Sequence, residues 1–168
     1  VYDGGGVLPD MEIEETKMAT ITDAVVKTDA IFNFATQWYY KNPTVSGIPT
    51  ISDADFIAFK TFLKQEKISL DTETNKALKN VLETAKKEKI DTQITNEYKQ
   101  LELAIEKNQE MELDKNKNQI KKLIQEDLIT RYQYREGLYQ FYTKENLEIE
   151  KAIALLNNQT QYKSILKK

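Results

Sequence analysis

The sequence predicts an all-α fold, a helical bundle of about six helices preceded by a short N-terminal turn and strand remnant. Three observations point there. Three of the five glycines are Gly4, Gly5 and Gly6, and all three prolines (Pro9, Pro43, Pro49) fall in the first 49 residues. From Thr50 to Lys168 there is no proline and a single glycine, Gly137, which suits helices joined by short polar turns. Beyond residue 20 the apolar residues recur at helical spacing. With 168 residues, 40% hydrophobic and 30% charged, the chain is long enough to bury a core without staples.

Taken in order, Met11-Glu12-Ile13-Glu14 alternates apolar and acidic at period two, which predicts a short strand after a glycine turn. A first helix is expected from about Thr22 to Lys41, with Ile31, Ala35 and Trp38 on one stripe, Phe32 and Tyr39 beside it and Phe34 widening the apolar surface. Asn42 to Ile51 carries Pro43, Gly47 and Pro49 and reads as a loop. Ser52-Asp53-Ala54-Asp55 then has the form of an N-cap with acids in the first turn, where the positive end of the helix dipole favours them. The helix it opens points Phe56, Phe59 and Leu63 inward.

Asp71 or Thr72 caps a third helix with the stripe Ala77, Leu78, Val81, Leu82 and Ala85. Tyr98, Leu101 and Ile105 form a further stripe, Asn108 to Gln119 is nearly all polar, and Ile120, Leu123, Ile124 and Leu128 resume the pattern. This predicts a long, partly exposed helix or a helical pair. A single helix over 116–142 would be roughly 40 Å long at 1.5 Å per residue. Helices near Lys144 to Leu156 and Gln159 to Leu166 close the chain.

Composition excludes much chemistry. With no Cys and no His there can be no disulfide, thiolate nucleophile, Cys/His zinc site or Ser-His-Asp triad. The 24 basic and 27 acidic side chains leave a net charge of −3, which gives no general attraction to nucleic acid or anionic lipid, and no apolar run is long enough to span a bilayer. Gly4-Gly5-Gly6 lacks the Gly-Lys-Ser/Thr ending of a phosphate-binding loop and reads as a turn. Glu12, Glu14 and Glu15 lack the Asp-x-Asp-x-Asp-Gly frame of a calcium loop, so no metal and no cofactor is expected. Lysine runs such as Lys86-Lys87-Glu88-Lys89 are laced with acids and read as solvated helix faces.

One segment stands out. Arg131 to Tyr142 holds both arginines of the chain among four tyrosines and a phenylalanine. On one continuous helix Tyr132, Arg135, Tyr139 and Tyr142 share a face, and Tyr134, Leu138 and Phe141 share another. The first set, with its arginine, is the expected exposed face and a candidate protein-contact surface, since aromatics with Arg make binding hot spots. The second set is expected to be core.

The opening stretch Val1-Tyr2-Asp3-Gly4-Gly5-Gly6-Val7-Leu8-Pro9-Asp10 is a glycine turn leading into extended Pro-Asp backbone. As a motif it is similar to the Gly-x-x-Pro-Asp segment of carboxy-terminal processing, or tail-specific, serine proteases of the Gram-negative envelope; Gly6, Pro9 and Asp10 match, within a run that includes Gly4 and Gly5. Ser52 to Phe56, Asp71 to Thr74, Arg131 to Tyr134 and Ala152 to Asn157 resemble the helical tails of those enzymes more loosely. The resemblance implies that residues 1–15 are the end of a protease core and 20–168 a C-terminal helical domain. It also implies a Ser/Lys dyad upstream of residue 1, so no catalytic residue is expected here. The implied role is to brace the core or to contact protein substrate, adaptor or a second subunit, in the periplasm or cell envelope. The alternative is a free-standing helical interaction module with no protease attached.

Overall fold

The computed structural model describes residues 9–13 and 17–166. Among them are eight helices and no strand: α1 (Thr20–Val26), α2 (Ala30–Lys41), α3 (Asp53–Gln65), α4 (Glu73–Glu88), α5 (Thr95–Lys115), α6 (Lys117–Glu145), α7 (Leu147–Asn157) and α8 (Gln159–Leu166). The all-α class holds, with two more helices than the sequence stripes suggest. The motif glycines Gly4, Gly5 and Gly6 lie outside the described residues, as does Glu14, while Pro9 and Asp10 are exposed. Residues 9–13 form bend and coil rather than the expected strand. A single alternating segment has no ladder to join here, and an isolated strand is not stable by itself.

The expected first helix is divided at Thr28. Its hydroxyl donates to the Val25 carbonyl (2.7 Å) and accepts from the Ala30 amide (3.2 Å), so a side chain takes over the groups that a continuous helix would use. The Ser52 cap forms as expected. Ser52 Oγ accepts from the Asp55 amide while the Asp55 carboxylate accepts from the Ser52 amide at 2.9 Å, a reciprocal capping box. The other Asp55 oxygen accepts from Trp38 Nε1 at 2.9 Å, which ties the end of α2 to the start of α3. Of the two cap candidates for α4, Thr72 accepts from the Asn75 amide, whereas Asp71 pairs with Lys79.

The core lies between α1, α2, α3 and the first half of α6 and gains Leu113 from the last turn of α5. Phe59, Ile120, Ile124, Leu128 and Val25 are fully buried there, and Phe34 meets Phe59 edge-on with ring centroids 5.2 Å apart. The inward set Phe56, Phe59 and Leu63 is buried as the stripe predicts.

The largest departure is in α6. Instead of one rod it doubles back at Tyr134, whose backbone is at φ 57° and ψ −154°. Contacts between the two arms show the reversal: Lys122 Nζ sits 5.8 Å from the Phe141 ring and 3.5 Å from the Glu145 carbonyl, and Glu126 meets the Tyr142 hydroxyl. On a straight helix Lys122 and Glu145 would be about 35 Å apart. Gly137 allows the arms to close, because a Cβ there would meet Ile129 Cγ2 at 3.1 Å and collide with Gln133.

Candidate protein-contact surfaces

The reversal regroups the tyrosine-rich segment. Tyr132, expected on the exposed face, packs on the core: its ring lies 4.8 Å from that of Tyr39 and 6.4 Å edge-on to Trp38, and its hydroxyl donates to the Asn42 carbonyl. Burial and the neighbouring Tyr39 hold its hydroxyl above the ordinary tyrosine range. Tyr134, expected inside, is 73% exposed at the turn. Phe141 is buried, as expected, Leu138 is only half-buried, and Tyr139 and Arg135 are exposed. Tyr142 is half-buried against Glu126. The helical period does not run through a residue with positive φ, so Tyr132 falls out of register with Arg135, Tyr139 and Tyr142, and the four do not form one face.

A feature with no sequence signature replaces that face. Four side chains on the first arm of α6 fasten backbone carbonyls, three in the loop between α2 and α3 and one in the first turn of α2. Gln125 Nε2 donates to Pro49 O (2.8 Å), Gln133 Nε2 to Gly47 O (2.8 Å), Arg131 Nη2 to Phe32 O (3.2 Å), and Tyr132 to Asn42 O. Arg131 also lies over the Phe32 ring, 4.6 Å from its centroid. At the start of the same arm, Gln119 holds the lead-in to α1: its Oε1 accepts from the Ala19 amide (3.2 Å) and the Thr22 hydroxyl (3.1 Å), and its Nε2 donates to Lys17 O (3.4 Å). Thr22 is fully buried, so its hydroxyl needs this partner. Gln109 on α5 works similarly, donating to Leu70 O and Asn75 Oδ1. Sequence reasoning passed over Gln109 and Gln119 as parts of a polar stretch, because their partners lie 34 to 102 positions away.

Beside Gln119 an open groove of about 540 Å³ runs between the lead-in residues Ile13 and Met18, the α6 residues Lys122, Leu123 and Glu126, and the start of α7 at Leu147. Burial pushes the Glu126 carboxyl up against the opposing pull of Lys122 and the Tyr142 hydroxyl. The groove is mostly apolar, with one cation, Lys122, and three carboxyls, Glu126, Glu145 and Glu148, of which Glu126 is partly desolvated. No group of His, Cys, Asp or Glu side chains suited to a metal ion is found among the described residues.

Two further regions expose apolar side chains. The α4–α5 hairpin leaves Val81, Leu101, Leu103 and Met111 exposed, and α7 and α8 leave Leu147, Ile153, Leu156 and Leu166.

The match with known families now has a structure to fall on. The family described as "Probable PDZ-protease, C-terminal helical domain" matches residues 21–156, from α1 to the last turn of α7. The chain belongs to this family. The match begins at the buried turn that Gln119 secures, so the helical domain of a probable PDZ-protease comprises the core, both arms of α6 and nearly all of α7. No curated protein and no solved structure shows significant similarity to the chain. Among the described residues no helix of the domain is long and apolar enough to cross a membrane.

Proposed function

We propose that this helical domain is the non-catalytic brace of a carboxy-terminal processing serine endopeptidase of the cell envelope, with the Ser/Lys dyad in the part of the protein N-terminal to it. The observation that carries the reading is the attachment of residues 17–22 to α6. Gln119 accepts hydrogen bonds from the Ala19 amide and the buried Thr22 hydroxyl and donates one to the Lys17 carbonyl, all in the segment that in this reading links the helical domain to the preceding chain. A segment held to the deepest helix transmits position, which a brace requires and a flexible tether does not supply. The groove beside Gln119 and the exposed faces of α4–α5 and α7–α8 are the surfaces available to substrate, adaptor or a second subunit.

The test is made in the parent protease. Gln119→Ala is expected to lower the melting temperature of the protease core, and deletion of the helical domain from residue 20 onward to lower cleavage of a C-terminal peptide substrate about tenfold or more. A protease core that keeps both its stability and its cleavage rate after the deletion overturns the bracing role and favours an independent interaction module.

A further inference from the structure

Tyr134 is the one residue inside α6 with non-helical backbone angles, and its φ 57°, ψ −154° lie in a region open essentially to glycine. Nothing at the turn offsets that strain, since the side chain is exposed and no loop spreads the reversal over several residues. The local sequence also runs against it: from Thr50 onward there is no proline, and the only glycine, Gly137, lies three residues beyond the turn. The reversal is held by contacts between the arms, at Ile129 with Gly137, Glu126 with Tyr142, and Lys122 with Phe141 and Glu145. Each pairs a residue before the turn with one after it, and each forms equally well if the two residues belong to different chains.

We infer that α6 opens at Tyr134 into one continuous helix and that residues 135–166 exchange with those of a second copy of this chain, giving a domain-swapped dimer. Straightened, the 29 residues of α6 extend about 44 Å, which carries Phe141 and Tyr142 beyond reach of their own first arm. A partner's first arm, vacated in the same way, presents the same seat. The dimer keeps the arm-to-arm contacts of the monomer and removes two strained backbones, and short hinges under strain favour such exchange. The inference does not depend on the protease attached to the domain.

The experiment uses the full 168-residue chain. Because it has no cysteine, Glu126→Cys with Tyr142→Cys introduces a single pair, one thiol on each arm, which a short bismaleimide can bridge. Light scattering should show a dimer that grows with protein concentration, and the bridge should join two chains in the dimer fraction and one chain in the monomer fraction. Tyr134→Gly removes the strain without removing a packed side chain, and should raise the apparent dimer dissociation constant about a hundredfold, ten for each relieved hinge. A chain that stays monomeric at its solubility limit overturns the exchange. So does a dimer whose bridges remain within single chains, or a dimer constant that Tyr134→Gly leaves unchanged.

Discussion

The core block and the α4–α5 hairpin both carry apolar stripes, yet the block buries its stripes far more fully. In the block, α2 packs against α1, α3 and α6, and side chains such as Ala35, Phe59, Ile124 and Leu128 are sealed. In the hairpin, α4 rests mainly on α5, and Val81 and Leu101 remain 52% and 55% exposed. Two antiparallel helices cannot enclose a stripe between them; a third surface is needed. α5 crosses from one condition to the other along its length, with Leu113 inside the core cluster and Leu101, about 18 Å further along the axis, in solvent. A period of 3.6 therefore specifies a helix, and the number of neighbours decides whether its stripe contributes to stability.

Substitution should separate the two regions sharply. Phe59→Ala is expected to cost about 3 to 5 kcal/mol in urea unfolding, whereas Val81→Ala or Leu101→Ala should cost under about 1 kcal/mol. Comparable losses at Phe59 and Leu101 would mean that the hairpin is covered in solution. Within the second arm of α6 the same contrast recurs at smaller scale. Phe141→Ala should lower stability by about 3 kcal/mol and Tyr139→Ala by under about 0.5, since Phe141 is buried against Lys122 and Tyr139 is 64% exposed.

Gly137→Ala tests the join between the arms. Alanine favours a helix, but here its Cβ meets Gln133 and Ile129, so a net loss of about 1 to 3 kcal/mol is expected from thermal unfolding. At the edge of the core, Ser52→Ala should cost about 1 kcal/mol through the capping box. Burial alone would raise the Asp55 carboxyl, but hydrogen bonds from the Ser52 side chain, Trp38 and the Ser52 amide outweigh it and hold the group below its ordinary value. A depressed folded value stabilises above the unfolded pKa, near 3.9, and that contribution disappears as pH falls through the folded value. The stability gap between the wild-type chain and Asp55→Asn should therefore narrow in acid.

Glu126 has the opposite sign. Its folded value is raised by burial, so ionisation opposes folding, and stability falls as pH rises from the ordinary carboxyl range through the folded value. Glu126→Gln should stabilise at neutral pH by less than about 1 kcal/mol, after solvent screening, and the gain should vanish at pH 4 and below.

The sequence made the local rules legible. The Ser52 cap, the inward Phe56, Phe59 and Leu63, and the stripe of α4 follow from spacing and side-chain chemistry within a few residues. The family was legible too, from a glycine-proline motif that lies largely outside the described residues. What stayed hidden depends on contacts between distant positions. Nothing in the residues flanking Tyr134 announces a reversal, because arm-to-arm packing imposes it against local preference. Once the helix turns there, the face assigned to Tyr132, Arg135, Tyr139 and Tyr142 divides, and Tyr132 joins Trp38 and Tyr39. The clamps made by Gln119, Gln125 and Gln133 were hidden for the same reason, since an amide side chain fits a polar surface and a loop carbonyl equally well.

Those amide clamps determine how the domain responds to its medium. A glutamine amide carries no charge and no titrating proton, so ions cannot screen it and acid cannot switch it off. The polar ties of α3 to α5 and α6 are of another kind: Asp53 with Lys117 and Lys121, and Lys60 with Asp114, are surface ion pairs that weaken as ionic strength rises. From millimolar to molar salt the α3 ties should loosen while the lead-in stays fixed at Gln119. The lead-in to α1 is thereby held by a tie that changes in ionic surroundings do not reach.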